Sequence, residues 1–304
     1  MTLTVPATEI ADDRYAGLDT WPDEAILSAL LDGQRRALAS VEAAIPQLAR
    51  AAKAASEKLR AGGRLIYLAS GSPALISLGD ALEIPQTYGV KRERILLLFA
   101  GGKSIFDNLT GVDEDSAEAA IADVAAHRVG PADCVIATSA SGSTPYTVAG
   151  LTASRAAGAV TIGIAGNAGA PLIEGADIGV LLDAGPEVIS GSTRMGAGTA
   201  QKAALNMFST LVGVHLGHVY DGLMVNVTAD NAKLRQRAAR IVMKITGADD
   251  ATAARALELS HGEVKLAVLM AAGAAGLGEA NALLGKYQGN LRAALADMAA
   301  ATPA

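Results

Sequence analysis

Two hydroxyl-rich stretches of this chain have the residue types and spacing to do chemistry. One reads Thr138-Ser139-Ala140-Ser141-Gly142-Ser143-Thr144-Pro145, with five hydroxyls and a glycine in its first seven residues. The other is Ala69-Ser70-Gly71-Ser72-Pro73. Each follows an apolar run and leads into a helical pattern, so each reads as a turn at the carboxyl end of a strand, where open parallel sheets hold ligands. Pro145 falls in a first helical turn, which tolerates a residue without an N–H. Unpaired first-turn amides, the positive end of the helix dipole and neutral hydroxyls together make a seat for a dianionic phosphate. The same geometry also serves simple capping.

Two glutamates add acid–base potential. Glu83 lies in Asp80-Ala81-Leu82-Glu83-Ile84-Pro85, where a helix is expected to end, with apolar residues on both sides. Glu114 lies in Gly111-Val112-Asp113-Glu114-Asp115-Ser116, after the next strand. A carboxyl enclosed by apolar residues is fitted to move protons; otherwise Glu83 reads as a partly solvated acid at a helix end, and Glu114, by composition alone, as an ordinary acid at a helix start. Other motifs carry less. Gly101-Gly102-Lys103-Ser104 looks like the end of a P-loop, but Leu97 occupies the position of the required upstream glycine. No G-x-G-x-x-G follows a strand, so no nucleotide cofactor is expected. His215 and His218 are three apart on a helical pattern without a third ligand nearby in sequence, which reads as a structural pair rather than a metal site. Cys134, the single cysteine, sits in an apolar run and reads as a core thiol; it rules out disulfides within the chain and zinc–cysteine clusters.

The elements that must position these residues follow from hydrophobic pattern. Pro22-Asp23-Glu24 opens one helix, and a second runs from about Ser40 to Arg60 and stops at Gly62-Gly63. Short apolar runs then alternate with helical stretches: Leu65–Leu68, Ile95–Phe99, Val135–Ser139, Val160–Ala165 and Ile178–Leu182. Continuous apolar runs bounded by Gly, Ser or Asp are strands buried on both faces. The fold class is therefore α/β, a three-layer sandwich around a five-stranded parallel sheet. A long apolar helix is expected from Gly198 to about Val219, another from Asn231 to Lys244, and three short ones after Gly247. The expected organisation is helices over 1–60, a ligand-binding domain over 61–246 and a small helical module over 247–304.

With 304 residues, 3% aromatics and a net charge of −6, the chain has bulk for a large core but no basic stripe for nucleic acid. Its longest uncharged stretch, Cys134–Ser154, is interrupted by Ser, Thr, Gly and Pro, so no membrane span is expected. Met1–Pro6 has neither a basic start nor an apolar run, and a cytoplasmic location is expected.

Together the motifs resemble a known family. Gly63–Leu68, Gly71, Glu83–Val90, Ala100-Gly101-Gly102, Ser141–Tyr146 and, above all, Gly185-Pro186-Glu187-Val188-Ile189-Ser190-Gly191-Ser192-Thr193-Arg194-Met195 with Ala197–Lys202 are similar to the N-acetylmuramic acid 6-phosphate etherases. The last block is shared with glucokinase regulatory proteins, and the likeness runs from about Leu31 to Leu295. It implies a sugar-isomerase-type (SIS) domain, a homodimer, a C-terminal helical module and a phosphorylated amino-sugar substrate. It also implies a reaction without metal or cofactor, in cell-wall recycling. D-Lactate leaves C3 after ring opening and loss of the C2 proton, and water then adds. By the resemblance Glu83 serves the leaving oxygen and Glu114 the C2 proton. The implied binding residues are Ser70, Gly71, Ser72, Ser139, Ser141, Gly142, Ser143, Thr144, Glu187, Ser190, Ser192, Thr193, Arg194 and His261.

The chain departs from the family at cationic positions. Leu75 replaces an arginine of the first loop, Ser143 one of the second, and Gly196 a lysine of the long signature; an asparagine expected after Thr8-Glu9 is also absent, with Asp12 nearest its place. Each lost charge-assisted contact is worth about 1.5–3 kcal/mol. Two alternatives stand beside the lyase: an aldose–ketose phosphosugar isomerase using His261 to open the ring, and a non-catalytic sugar-phosphate regulator. Retention of both glutamates favours the lyase.

Overall fold

A computed structural model describes residues 7–107, 111–227, 229 and 231–301. Met1–Pro6, on which the expectation about a leader rests, lies outside them. The chain divides into two compact units, one of 1–81 and 93–211 and one of 82–92 and 212–304.

The first unit is an α/β sandwich. Its strands are β1 (Leu65–Ala69), β2 (Ile95–Phe99), β3 (Cys134–Thr138), β4 (Val160–Ala165) and β5 (Ile178–Leu181), all parallel in the order β2-β1-β3-β4-β5. The five apolar runs are these strands, except that β1 ends one residue later than its run, β5 ends one earlier, and β3 starts and ends one earlier. Its helices are α1 (Asp23–Ala43), α2 (Ile45–Arg60), α3 (Gly71–Tyr88, of which Leu82 onward belongs to the second unit), α4 (Gly111–Glu114), α5 (Ala117–Ala126), α6 (Pro145–Ala156), α7 (Pro171–Glu174) and α8 (Gly196–His215, of which Val212 onward belongs to the second unit). The division between the first two helices falls at Ala44, not near Ser40: Pro46 sits in the opening turn of α2, where its missing N–H costs nothing. Alternate strand residues serve opposite faces. Ile66, Leu68, Val135 and Ala137 pack with Val124, Tyr146, Leu151 and Leu172 of α5, α6 and α7. Tyr67, between them in sequence, meets Asp80 of α3 and is wholly buried.

Two further helices differ from the sequence pattern at their ends. Helix α3 does not end at Glu83 but runs through Pro85 to Tyr88. It stops at Gly89, whose φ of 62° is open to glycine and whose N–H reaches the Pro85 carbonyl at 2.9 Å. Helix α8 begins at Gly196 and ends at His215, and it is not buried all round: Met207 and Val214 are exposed.

The second unit is helical: α9 (Ala232–Thr246), α10 (Asp250–Leu259), α11 (Val264–Ala271), α12 (Leu277–Lys286) and α13 (Leu291–Ala301). Asn231 caps α9 through the Leu234 N–H, and Asp249 caps α10 through that of Thr252. Among the described residues four helices, rather than three, follow Gly247, because Gln288 and Gly289 turn with positive φ between α12 and α13. A small antiparallel hairpin, β6 (Val219–Tyr220) with β7 (Leu223–Met224), closes over Asp221-Gly222. The core gathers Val225, Val242, Leu266, Val268, Leu269 and Leu291. Among the described residues, no helix is long and apolar enough to cross a membrane.

Candidate functional site

Strand order decides where the first unit can hold a ligand. From β1 the chain moves to β2 on one side, then returns to β3 on the other, so the crossovers diverge between β1 and β3. A crevice opens outside the strand ends at such a point. Ala69 pairs with Thr138 in register, so the two hydroxyl-rich turns start side by side.

The second turn is a closed network of hydroxyls. Ser139 Oγ lies 2.9 Å from Thr144 Oγ1 and 3.4 Å from Ser141 Oγ, and accepts the Gly142 N–H at 3.0 Å. The Ser143 N–H and hydroxyl both reach Ser141 Oγ at 3.2 Å. Gly142 has a φ of 75°, and a Cβ there would stand 2.5 Å from the Ala170 Cβ and 2.7 Å from that of Ala165. Only glycine allows that approach. Thr144 precedes Pro145 at the start of α6, and its side chain does not cap the helix. Its hydroxyl is turned instead to the serines, leaving the first-turn amides for another acceptor.

The first turn faces the same crevice. Ser70 is buried, with its Oγ 3.4 Å from Thr147 Oγ1 of α6. Ser72 is half-buried. Gly71 has a φ of 57°, and a Cβ on it would meet Glu114 Oε1 at 2.8 Å and Oε2 at 3.1 Å. The Glu114 carboxylate thus lies against the backbone of the first turn, although 43 residues separate the two in sequence. Glu114 is half-buried at the end of α4.

The long signature has a different local role at one residue. Glu187 is buried, and its two oxygens accept the Gly196 N–H at 2.8 Å and the Ala197 N–H at 2.9 Å. The carboxylate caps α8, replacing solvent at the positive end of the helix. Ser190 gives its hydroxyl to the Glu9 carbonyl at 2.9 Å, and the Gly191 N–H reaches the Thr8 carbonyl at 3.2 Å. Ser192 and Thr193 are half-buried, while Arg194 is exposed. Asp12, nearest the missing asparagine, is taken up by the Arg14 backbone and guanidinium.

Three participants escaped the sequence reading. Thr147 and Asn167 support the crevice, Asn167 by giving its side-chain N–H to the Ser141 carbonyl at 3.0 Å. Asn167 lies just past the end of β4, where the strand-end rule would have found it. Asp80 accepts from Tyr67 Oη at 2.6 Å, Asn206 Nδ2 at 2.7 Å and Ser209 Oγ at 2.8 Å, tying α3 to β1 and α8. Burial and the adjacent Asp80 carboxylate push the Tyr67 hydroxyl well above its ordinary pKa, so it stays a donor.

Glu83 and His261 belong to the second unit. Glu83 is exposed on α3, not enclosed by apolar neighbours, because the side chain projects from a helix that continues past it. His261 is exposed, with a φ of 54°, in the turn between α10 and α11. His218 is mostly buried and pushed down to about 4 by burial and by nearby Lys265, which marks it as a neutral structural histidine. Cys134 is buried and its thiol is pushed up to about 12 by burial, so it is an inert core residue. No group of three His, Cys, Asp or Glu among the described residues is placed to hold a metal.

Residues 102–211 match the SIS domain model. An N-acetylmuramic acid 6-phosphate etherase from Deinococcus radiodurans is 45% identical over 264 residues, 86% of each chain. Those of Rubrobacter xylanophilus and Mycolicibacterium smegmatis are 42% and 39% identical, covering 94% and 97% of this chain and 98% and 99% of their own. Among solved structures, a phosphoheptose isomerase from Francisella tularensis aligns with 64% of this chain and 100% of its own, at 15% identity and a TM-score of 0.49. With such identity sustained over nearly the whole length, the chain belongs to the N-acetylmuramic acid 6-phosphate etherase family.

Proposed function

We propose that this protein is a carbon–oxygen lyase that removes D-lactate from N-acetylmuramic acid 6-phosphate. The observation that carries the reading is the Glu114 carboxylate lying against Gly71 in the β1/β3 crevice, beside a hydroxyl network suited to phosphate. The 6-phosphate sits at the start of α6, with Ser139, Ser141 and Thr144 as its main contacts and Ser70 or Ser72 opposite. Ring opening exposes an aldehyde at C1, which acidifies the C2 proton. Glu114 takes that proton, and Glu83 protonates the C3 ether oxygen as lactate departs. The resulting C2=C3 unsaturated aldehyde gains hydroxide at C3 and a proton at C2 from water, giving N-acetylglucosamine 6-phosphate.

Leu75, Ser143 and Gly196 remove three cations from loops that hold them in the family, so phosphate recognition here rests on neutral donors and the helix dipole. We further propose a cytoplasmic homodimer acting in cell-wall recycling, in which the Glu187–Arg194 stretch and the turn at His261 complete the neighbour's site. Leu27, Leu31 and Leu38 support the assembly: they are exposed along α1 at helical spacing, an apolar stripe of the kind a second subunit covers. The test is incubation with N-acetylmuramic acid 6-phosphate followed by enzymatic assay of D-lactate. Release stoichiometric with N-acetylglucosamine 6-phosphate is expected, and no lactate above the blank would overturn the reading.

A further inference from the structure

The second unit contains a cleft of about 620 Å³, of which the lyase scheme uses only the His261 turn. Its wall includes Lys91, Asn226, His261, Glu263, Lys265 and Gly289. Lys265, in the first turn of α11, is 5% exposed, and its ammonium gives one hydrogen bond, to the Gly289 carbonyl at 2.9 Å. An ammonium has three donors. None of the ion pairs among the described residues includes Lys265, and Glu263 on the same wall is exposed and lies beyond pairing distance.

Burying an unpaired cation is costly, and an apolar side chain of similar length would serve packing better. Burial pushes the Lys265 amine down to about 8, and no carboxylate among the described residues offsets it. The helix adds to the demand for negative charge: α11 is eight residues long, and the Glu263 side chain does not cap it. Lys91 and His261 bring further donors to the cleft, and Asn226 holds its side-chain N–H on the Tyr88 carbonyl at 3.1 Å.

We propose that this cleft binds a small oxyanion, a phosphoryl or carboxylate group, seated on Lys265. The site is seated on Lys265 rather than on the His261 turn, and so goes beyond the lyase reading. A bound oxyanion supplies the missing counter-charge and should restore the Lys265 amine toward its ordinary range, since an opposite charge within about 4–6 Å moves a pKa by about 1–3 units. The full chain, labelled with carbon-13 lysine, is titrated by NMR without substrate, in inorganic phosphate, in D-lactate and in sodium chloride of matched ionic strength. Comparison with Lys265→Arg assigns the resonance.

A saturable rise of at least about one unit in the Lys265 midpoint is expected with phosphate or lactate and not with chloride. A response to phosphate alone identifies a phosphoryl ligand, and a response to lactate alone a carboxylate. In nitrogen-15-labelled protein, the Asn226 side-chain amide should shift with the same anion in wild type and Lys265→Arg but not in Lys265→Met. If neither anion moves the Lys265 midpoint, or chloride moves it equally, the proposal is overturned. That result rests on the wild type, so it holds even if Lys265→Met fails to fold. Lactate release from substrate is a separate readout, so failure of this site leaves the lyase reading intact.

Discussion

Gly71→Ala is a sharp probe of the proposed active site, because the structure gives both the clash and its victim. A Cβ at residue 71 would lie 2.8 Å from Glu114 Oε1, whereas carbon and oxygen rest comfortably at roughly 3.4 Å. The carboxylate must retreat by about 0.6 Å, the difference between those two distances. A displacement near 1 Å costs about a hundredfold in rate, so kcat should fall between about tenfold and a hundredfold. The φ of 57° adds a separate stability cost of about 1–2 kcal/mol, because a side chain crowds the left-handed region. In a chain of this size that lowers the Tm by roughly 2–8 °C. Gly79→Ala is the matched control: it lies on the same helix, and an added Cβ meets nothing within 4 Å. That variant should keep wild-type kcat and gain slightly in Tm. Steady-state D-lactate release, with differential scanning calorimetry on the same samples, separates the effects. If Gly71→Ala loses only Tm and keeps kcat, Glu114 is not acting where the crevice places it.

Other perturbations probe the remaining roles. Glu83→Gln should abolish lactate release yet still exchange the C2 proton in deuterated solvent, whereas Glu114→Gln should lose both, each by at least about a hundredfold; near wild-type turnover in both would make these glutamates structural. Glu187→Ala strips the carboxylate from the buried Gly196 and Ala197 amides and should cost about 1–3 kcal/mol in urea unfolding, with an unchanged midpoint arguing against the cap. His218 is held neutral down to about 4, below its ordinary 6.5, so the unfolded chain binds more protons between those values. Stability should therefore fall as pH drops from about 6.5 to about 4, by up to about 3 kcal/mol from this group, and His218→Gln should flatten that part of the curve. A slope equal to wild type in the variant would assign the loss elsewhere.

Much of the first unit was legible because parallel strands leave continuous apolar runs, and Leu65–Leu68 or Ile95–Phe99 admit little else. The hydroxyl turns were legible for a related reason, since a strand's carboxyl end can be placed once the strand is known. The approach of Glu114 to Gly71 left no local trace. It depends on β2 returning the chain beside β1, a tertiary fact. Pro85 misled in the usual direction: a proline marks a helix end by local rules, yet the residues after it find enough packing to continue α3. The Glu187 cap was hidden because its carboxylate reaches forward nine residues, beyond the short offsets of ordinary capping boxes. The β6–β7 hairpin, by contrast, carried its own signal in Asp221-Gly222 and could have been found.

The path of the chain through its two units has a consequence for synthesis. Leu82–Arg92 belongs to the second unit, but the rest of that unit begins only at Val212, so the ribosome makes 119 intervening residues before any partner emerges. At about 5–20 residues per second, that segment waits roughly 6–24 s. During this time Tyr88, buried in the finished protein and close to Gly213 and Asn226, has none of those neighbours. A nascent chain arrested at Leu211 carries every strand of the five-stranded sheet, with Leu82–Arg92 still lacking its unit. Such a fragment is a natural client for chaperones and a substrate for proteases cutting between Ala81 and Glu93.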